Sequence, residues 1–189
     1  MLDAADAVIR RSGPLAPMDE IASEAGISKP ILYRHFGDKG GLYQALADRY
    51  AGALLDELRA ALRTKTDART RLEITIDTYL RFIERERGAY DFLMHRAAAE
   101  RPEAGATLTG FMRQVAEEAT SVMKEDLSRY GLDPARAEPW AYGIVGMVYL
   151  AGDRWMEMRS VPRAEIVDSL VSLIWGGFVS LAGAGREAS

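Results

Sequence analysis

Residues 25–46 read AGISKPILYRHFGDKGGLYQAL. Apolar Ile27, Leu32, Phe36 and Leu42 recur here at helical spacing, and Ser28, Lys29, Tyr33, Arg34, His35 and Lys39 fill the positions between them. Taken with the preceding residues, PMDEIASEAGISKPILYRHF (17–36) describes a small unit. Met18–Glu24 is a short helix turned inward through Ile21 and Ala22. Ala25-Gly26-Ile27 is a tight turn in which Gly26 takes the positive φ that a side chain would oppose. Ser28 suits the N-cap of the next helix, its hydroxyl accepting from an orphan backbone N–H, and Pro30 falls in the first turn, where a missing N–H costs nothing. Two short helices about a glycine turn make a helix-turn-helix. With Leu32 inward, Lys29, Pro30 and Tyr33 face out together, Arg34 lies beside them, and His35 and Lys39 follow at the exit. Such a face of donors and one aromatic suits phosphate oxygens and major-groove base edges.

The rest of the chain sets bounds on that reading. Its 189 residues are 48% hydrophobic and 28% charged, with a net charge of −4. That balance excludes a protein that coats nucleic acid indiscriminately. It permits a local positive face, because between Ser28 and Lys39 three cations (Lys29, Arg34, Lys39) stand against Asp38 alone. The absence of cysteine excludes disulfide scaffolds, thiolate metal sites and cysteine nucleophiles. The N-terminus has no apolar stretch of a secretory signal and no basic arm for a minor groove. The most apolar runs are interrupted by Asp153, Arg154 and Asp168, short of the ~20 apolar residues of a membrane span. A cytoplasmic protein with no membrane association is expected.

Helical spacing continues throughout, without strand alternation or hairpin turns. Leu2, Ala5, Val8 and Ile9 mark a first helix that ends at Gly13-Pro14. A helix from Asp38 carries Leu42, Leu46, Leu54, Leu55, Leu58 and Leu62. Arg71–Glu86 is predicted to break at Gly88, Ala89–Glu100 to stop at Pro102, and Thr107–Arg129 to form a long amphipathic helix. GLDPARAEP is predicted to be a loop, followed by helices over Trp140–Arg159 and Pro162–Leu181 and a frayed tail. The penultimate helix is apolar nearly all round, with Trp140, Ile144, Met147, Ala151 and Trp155 on one side and Val145, Tyr149 and Met156 on another, so more than one side must be covered. The last helix has a small-residue strip of Ser169, Ser172, Gly176 and Ser180, flanked by Leu173, Ile174, Phe178 and Leu181, that permits close approach. A symmetric dimer through Tyr149, Trp155, Leu173, Gly176, Phe178 and Ser180 satisfies both patterns; internal cover within one chain is the alternative.

AGISKPILYRHFGDKGGLYQAL resembles the recognition segment of the TetR (tetracycline-repressor) family of transcriptional regulators, and the likeness extends at motif level over residues 2–48. The resemblance implies an all-α protein: an N-terminal three-helix helix-turn-helix domain (1–48) plus a C-terminal helical ligand-binding and dimerisation domain (49–189). It implies a homodimer on a palindromic double-stranded DNA operator, released by a hydrophobic small-molecule effector. It places Lys29, Pro30 and Ile31 at base-contact positions, Tyr33, His35 and Lys39 at phosphate-contact positions, and Ser28 at the opening of the reading helix; Arg34 joins this set from the residue pattern. One departure is Met18, where family members often carry a Thr or Ser that holds a phosphate. A backbone N–H of that helix terminus remains as a substitute donor.

For the larger domain, Tyr79, Phe82, Phe92, Phe111, Met112, Trp140, Ile144 and Met147 fit either plain core or the wall of an apolar cavity. The resemblance implies a ligand pocket there, with His95 and also Asp77, Thr78, Arg96 and Tyr142 as polar candidates. The stretches GAYDFLMHRAAAE and PWAYGIVGMVYLAGDRWM resemble regulators of lipid metabolism that sense acyl thioesters, which makes a lipid or acyl thioester a candidate effector. Two other readings stand beside this one. A regulator without an effector, controlled by a protein partner, has the same reading helix. A helical-bundle enzyme needs a reactive constellation, but the only histidines, His35 and His95, belong to no Glu-x-x-His, and no Walker loop, Gly-x-Ser-x-Gly or His-Glu-x-x-His is present. Asp91 and His95 share a helix face and could form an acid–base pair, but a structural hydrogen bond is the stronger reading of that spacing. No catalytic residue, metal or cofactor is expected.

Overall fold

The computed structural model describes residues 1–13, 16–91, 102–159 and 161–187. Its helices are α1 (Leu2–Ser12), α2 (Met18–Glu24), α3 (Lys29–Phe36), α4 (Lys39–Leu62), α5 (Ala68–Arg85), α6 (Arg87–Asp91), α7 (Pro102–Arg129), α8 (Ala137–Met158) and α9 (Arg163–Glu187), with a 3-10 turn at Pro134–Arg136. No strand occurs among the described residues. The helices fall into two compact units: Met1–Ala53 with Arg85–Phe111, and Leu54–Glu84 with Met112–Ser189.

The first unit is built on the apolar spacing read from the sequence. Val8, Ile21, Leu32, Leu42 and Leu46 are fully buried, one or two from each of α1 to α4. Leu2, Ile27, Tyr33 and Phe36 pack around them partly exposed. The α2–α3 turn is closed by two backbone bonds, Gly26 N–H to Ser23 O at 3.1 Å and Ile27 N–H to Ala22 O at 3.0 Å. This is a Schellman ending, and its left-handed residue is Gly26 at φ 65°. Polar links tie α1 to its neighbours: the Tyr50 hydroxyl donates to Asp6, and Arg10 pairs with both Asp6 and Glu86.

In the second unit α5 buries Ile76, Tyr79, Leu80, Phe82 and Ile83. It meets α8 at Gly152, where an added Cβ would lie 2.8 Å from the Tyr79 ring and 3.2 Å from Leu80, so a side chain there would force the buried Tyr79 to shift. Arg71, buried on α5, pairs with Asp126 of α7 and donates to the Thr66 carbonyl at 3.1 Å. Arg59 and Arg63 at the end of α4 hold Glu118 of α7 at 2.9 and 3.1 Å. Arg163, at the start of α9, reaches Asp77 at 2.9 Å and Glu84 at 2.6 Å on α5.

Four boundaries differ from the sequence reading. The break after α5 falls at Glu86, and Gly88 lies inside α6. Pro102 opens α7, five residues before the start expected at Thr107, because a first-turn position needs no N–H. The loop GLDPARAEP is partly helical: Asp133 Oδ1 accepts from Ala135 N–H at 3.0 Å, nucleating the 3-10 turn that leads into α8 at Ala137. α9 runs to Glu187, past the fraying expected after Leu181. The helix expected over Ala89–Glu100 lies mostly outside the described residues, as do Phe92 and His95.

Candidate nucleic-acid interface

α3 is an eight-residue helix held by one fully buried side chain, Leu32. At about 100° per residue, Pro30 and Arg34 point directly away from Leu32, and Ile31 and Tyr33 flank them. The exposures agree. Ser28, Lys29, Pro30, Ile31, Arg34 and His35 are exposed, and Tyr33 and Lys39 are half-buried. Arg34 thus lies on the outer side, beside the residues it was grouped with, and it makes no ion pair among the described residues. Ile31 at 37% is a large apolar side chain left facing solvent on this short helix.

The donors of this face are held in different ways. Ser28 has the extended backbone of an N-cap (φ −80°, ψ 151°), and its carbonyl accepts from Ile31 N–H at 3.0 Å and Leu32 N–H at 3.2 Å. Its hydroxyl makes no capping bond, contrary to the expectation from sequence. The backbone carbonyl does the closing, and the hydroxyl stays at the surface. The His35 ring meets Phe36 edge-on at 4.6 Å. The Lys39 ammonium lies 5.2 Å from the centre of the Tyr43 ring, a cation–π placement that aims it from the first turn of α4. Lys29 donates to Asp19 Oδ2 at 2.8 Å, and this bond raises the ammonium's pKa above the ordinary lysine value. Sequence reasoning passed over Asp19. The only signal is an acid in the first turn of α2, ten residues before Lys29 and across the glycine turn.

Met18, the departure noted above, is 5% exposed and belongs to the apolar core of the first unit. Its place at the start of α2 is filled by packing where a hydroxyl would reach outward. Behind it, Ser12 donates to Glu20 at 2.6 Å, and Arg11 bridges Glu20 and Glu24 at 3.1 Å each. The Ser12 hydroxyl and then Arg11 hold the Glu20 carboxyl below its ordinary pKa, and both glutamates raise that of Arg11.

The other candidate residues lie elsewhere. Tyr79 and Phe82 are buried on α5 in the second unit, with Trp140 and Ile144 of α8 half-buried in the same unit. Met147 is 39% exposed. Phe111 and Met112 are both half-buried, and the boundary between the units falls between them. Asp77 is engaged by Arg163, and Thr78 is buried beside Arg81. Of the interface candidates, Trp155 is buried within the single chain, its indole N–H donating to the Val161 carbonyl at 2.8 Å. Tyr149 and Phe178 are half-buried, and Leu173, Gly176 and Ser180 are exposed. Phe178 stacks at a tilt on Trp140, 5.3 Å between centres, joining α8 to α9. No group of side chains suited to a metal ion occurs among the described residues.

Residues 1–46 match the family described as bacterial regulatory proteins, tetR family, and residues 57–188 match the tetracyclin repressor-like C-terminal domain. The HTH-type transcriptional activator FasR of Mycolicibacterium smegmatis is 33% identical over 180 residues, spanning 94% of this chain and 80% of FasR. A TetR-like transcriptional regulator from Rhodococcus sp. RHA1 shares the fold with a TM-score of 0.64 at 26% identity, over 94% of this chain and 93% of that one. FadR of Bacillus subtilis, solved in complex with stearoyl-CoA, has a TM-score of 0.67 at 17% identity, over 92% of this chain and 95% of its own. That last likeness is one of fold.

Proposed function

The chain belongs to the tetR family of bacterial regulatory proteins and is a DNA-binding transcriptional regulator, not an enzyme, and we propose that it binds a palindromic operator as a homodimer and leaves it when a hydrophobic effector binds. The observation that carries the reading is α3. One buried leucine anchors it, and its remaining length offers a hydroxyl, cations, an imidazole and an exposed isoleucine to the outside. Lys29, Pro30 and Ile31 read base edges, Ile31 by apolar contact with a thymine methyl, and Ser28, Tyr33, Arg34, His35 and Lys39 hold the backbone. The work divides at residue 48: residues 1–48 read DNA, and 49–189 dimerise and sense. The setting is the cytoplasm, and no helix among the described residues is long and apolar enough to cross a membrane.

Two reading helices on one duplex face must sit about 34–36 Å apart to enter successive major grooves. The device that adjusts this spacing is α4. It is a continuous helix from Lys39 to Leu62 that buries Leu42 and Leu46 in the first unit and Leu54 and Leu58 in the second. An effector acts by preferring the arrangement whose spacing fails; one that binds both arrangements equally changes nothing. Tyr79, Phe82, Phe92, His95, Phe111, Met112, Trp140, Ile144 and Met147 are the residues proposed to receive it. An acyl thioester is the favoured effector class, supported by the fold shared with a regulator crystallised with stearoyl-CoA. Repression is the default sense; activation is a second reading, because the FasR relative bears the name of an activator.

Genomic fragments retained by the purified protein, sequenced with and without stearoyl-CoA, test the whole reading. An inverted repeat should be enriched and then lost as the acyl thioester is added. No enriched sequence overturns operator binding, and an enriched sequence indifferent to acyl thioesters and lipid extract overturns the effector class. The position of the repeat relative to the promoter decides between repression and activation.

A further inference from the structure

Lys29 is the first residue of α3, and its ammonium is held 2.8 Å from the carboxylate of Asp19 in the first turn of α2. Both side chains are open to solvent, at 44% and 69% exposure. The pair is not needed to hold α2 against α3, since the Schellman turn and the buried Ile21 and Leu32 already do so. An ion pair this exposed shifts an equilibrium by about fivefold at most. It is weak enough to exchange and strong enough to decide which competitor wins Lys29.

We propose that Asp19 sets DNA specificity by withholding Lys29 from phosphates and yielding it to the correct base edge. This rests on the DNA-reading role of α3 given above. A DNA phosphate offers Lys29 one negative charge in place of another, so exchanging Asp19 for it gains little and brings a carboxylate up against the phosphate backbone. A guanine edge offers O6 and N7 together, a contact that discriminates by about 5- to 150-fold. All but the bottom of that range exceeds the strength of the pair, so the exchange is favoured on the matching sequence. Arg34, exposed and without an ion pair among the described residues, is free to serve the backbone on any sequence. The acid therefore divides the two cations of α3 between sequence-dependent and sequence-independent binding.

The test uses the full-length protein, the operator recovered by fragment selection, a scrambled duplex of equal length, and a salt series. Asp19→Asn should bind scrambled DNA about 2- to 5-fold more tightly, steepen its salt dependence by about one released counterion, and lower the operator-to-scrambled ratio. In a Lys29→Ala background the same substitution should change scrambled binding by less than about twofold, because the effect runs through Lys29. Equal effects with and without Lys29 would mean general repulsion between an acid and DNA, and would overturn the proposal. So would an unchanged ratio in Asp19→Asn, if the wild type prefers its operator. A wild type that prefers no sequence overturns the DNA-reading role, and this inference with it. Matching thermal melts for the single variants exclude a folding effect.

Discussion

A Cβ at Gly41 would overlap the carbonyl oxygen of Phe36, the last residue of α3. Gly41 N–H also donates to Asp38 Oδ1 at 2.7 Å, which closes the first turn of α4 directly against the end of the reading helix. A side chain at this position must push α3 or unwind α4. Gly41→Ala is expected to cost about 1–3 kcal/mol, as overpacking does. It should reduce operator affinity more than the stability loss alone explains, since α3 is the element displaced. Urea unfolding and operator titration on the same preparations separate the two effects. Arg34 poses the opposite case, an exposed side chain whose removal disturbs no packing. Arg34→Ala should leave the melting temperature unchanged, weaken operator and scrambled DNA alike, and lower the salt slope by about one. Fluorescence anisotropy across a salt series would show this, and a loss confined to the operator would reassign Arg34 to base reading.

At the scale of elements, α4 and α7 are joined by Glu118, which accepts from Arg59 and Arg63. Arg63 first, and then Arg59, hold its carboxyl below the ordinary glutamate pKa. A carboxylate whose pKa is lower in the folded state stabilises the fold above the unfolded-chain value of about 4.3, and that contribution disappears as pH falls through the lowered folded value. Glu118→Gln should therefore melt earlier than the wild type at pH 7, by about 0.5–1 kcal/mol, with the two melts converging once the pH lies below the lowered folded value. A gap that persists there would point to packing and not charge. This link was invisible in the sequence, where Arg59, Arg63 and Glu118 are isolated surface charges. α2, the turn and α3 were legible because every signal in them is local: Gly26 for the positive φ, Pro30 in the first turn, Leu32 and Phe36 four apart. The pairing of Lys29 with Asp19 was not, because a side-chain contact across a turn leaves no periodicity. Ser28 was placed correctly at the N-cap but given the wrong bond: its carbonyl accepts from the Ile31 and Leu32 amides, and its hydroxyl makes no cap. Gly88 and Pro102 were both read as breaks. Gly88 lies inside a short helix that tolerates it, and Pro102 is at home in the first turn of α7.

The whole molecule, taken as a single copy, leaves too much apolar surface on its last two helices. On α8, Gly143, Met147 and Leu150 follow helical spacing on one side, with Met147 39% and Leu150 65% exposed. On α9, Leu173 is 65% and Val179 57% exposed, and Gly176 and Gly177 beside them would meet nothing with an added Cβ. Isolated exposed apolar residues need no explanation, but stripes of them on two helices already joined through Trp140 and Phe178 do. In the homodimer proposed above, a second copy of the same chain would cover them with closed two-fold symmetry. It would also set a reading helix on each side of the axis, which a palindromic site requires. Leu173→Glu places a charge in that contact while leaving the chain's own core intact, so the variant should melt as a folded monomer in sedimentation at micromolar concentration. The monomer keeps α3 and every DNA-facing side chain, yet it loses the gain from binding two half-sites at once, on the order of 10²–10⁴-fold. Operator affinity should fall toward that of a single half-site, while scrambled-duplex binding falls far less. If Leu173→Glu remains a dimer with full operator affinity, these stripes do not form the interface and another surface must bring the two reading helices together.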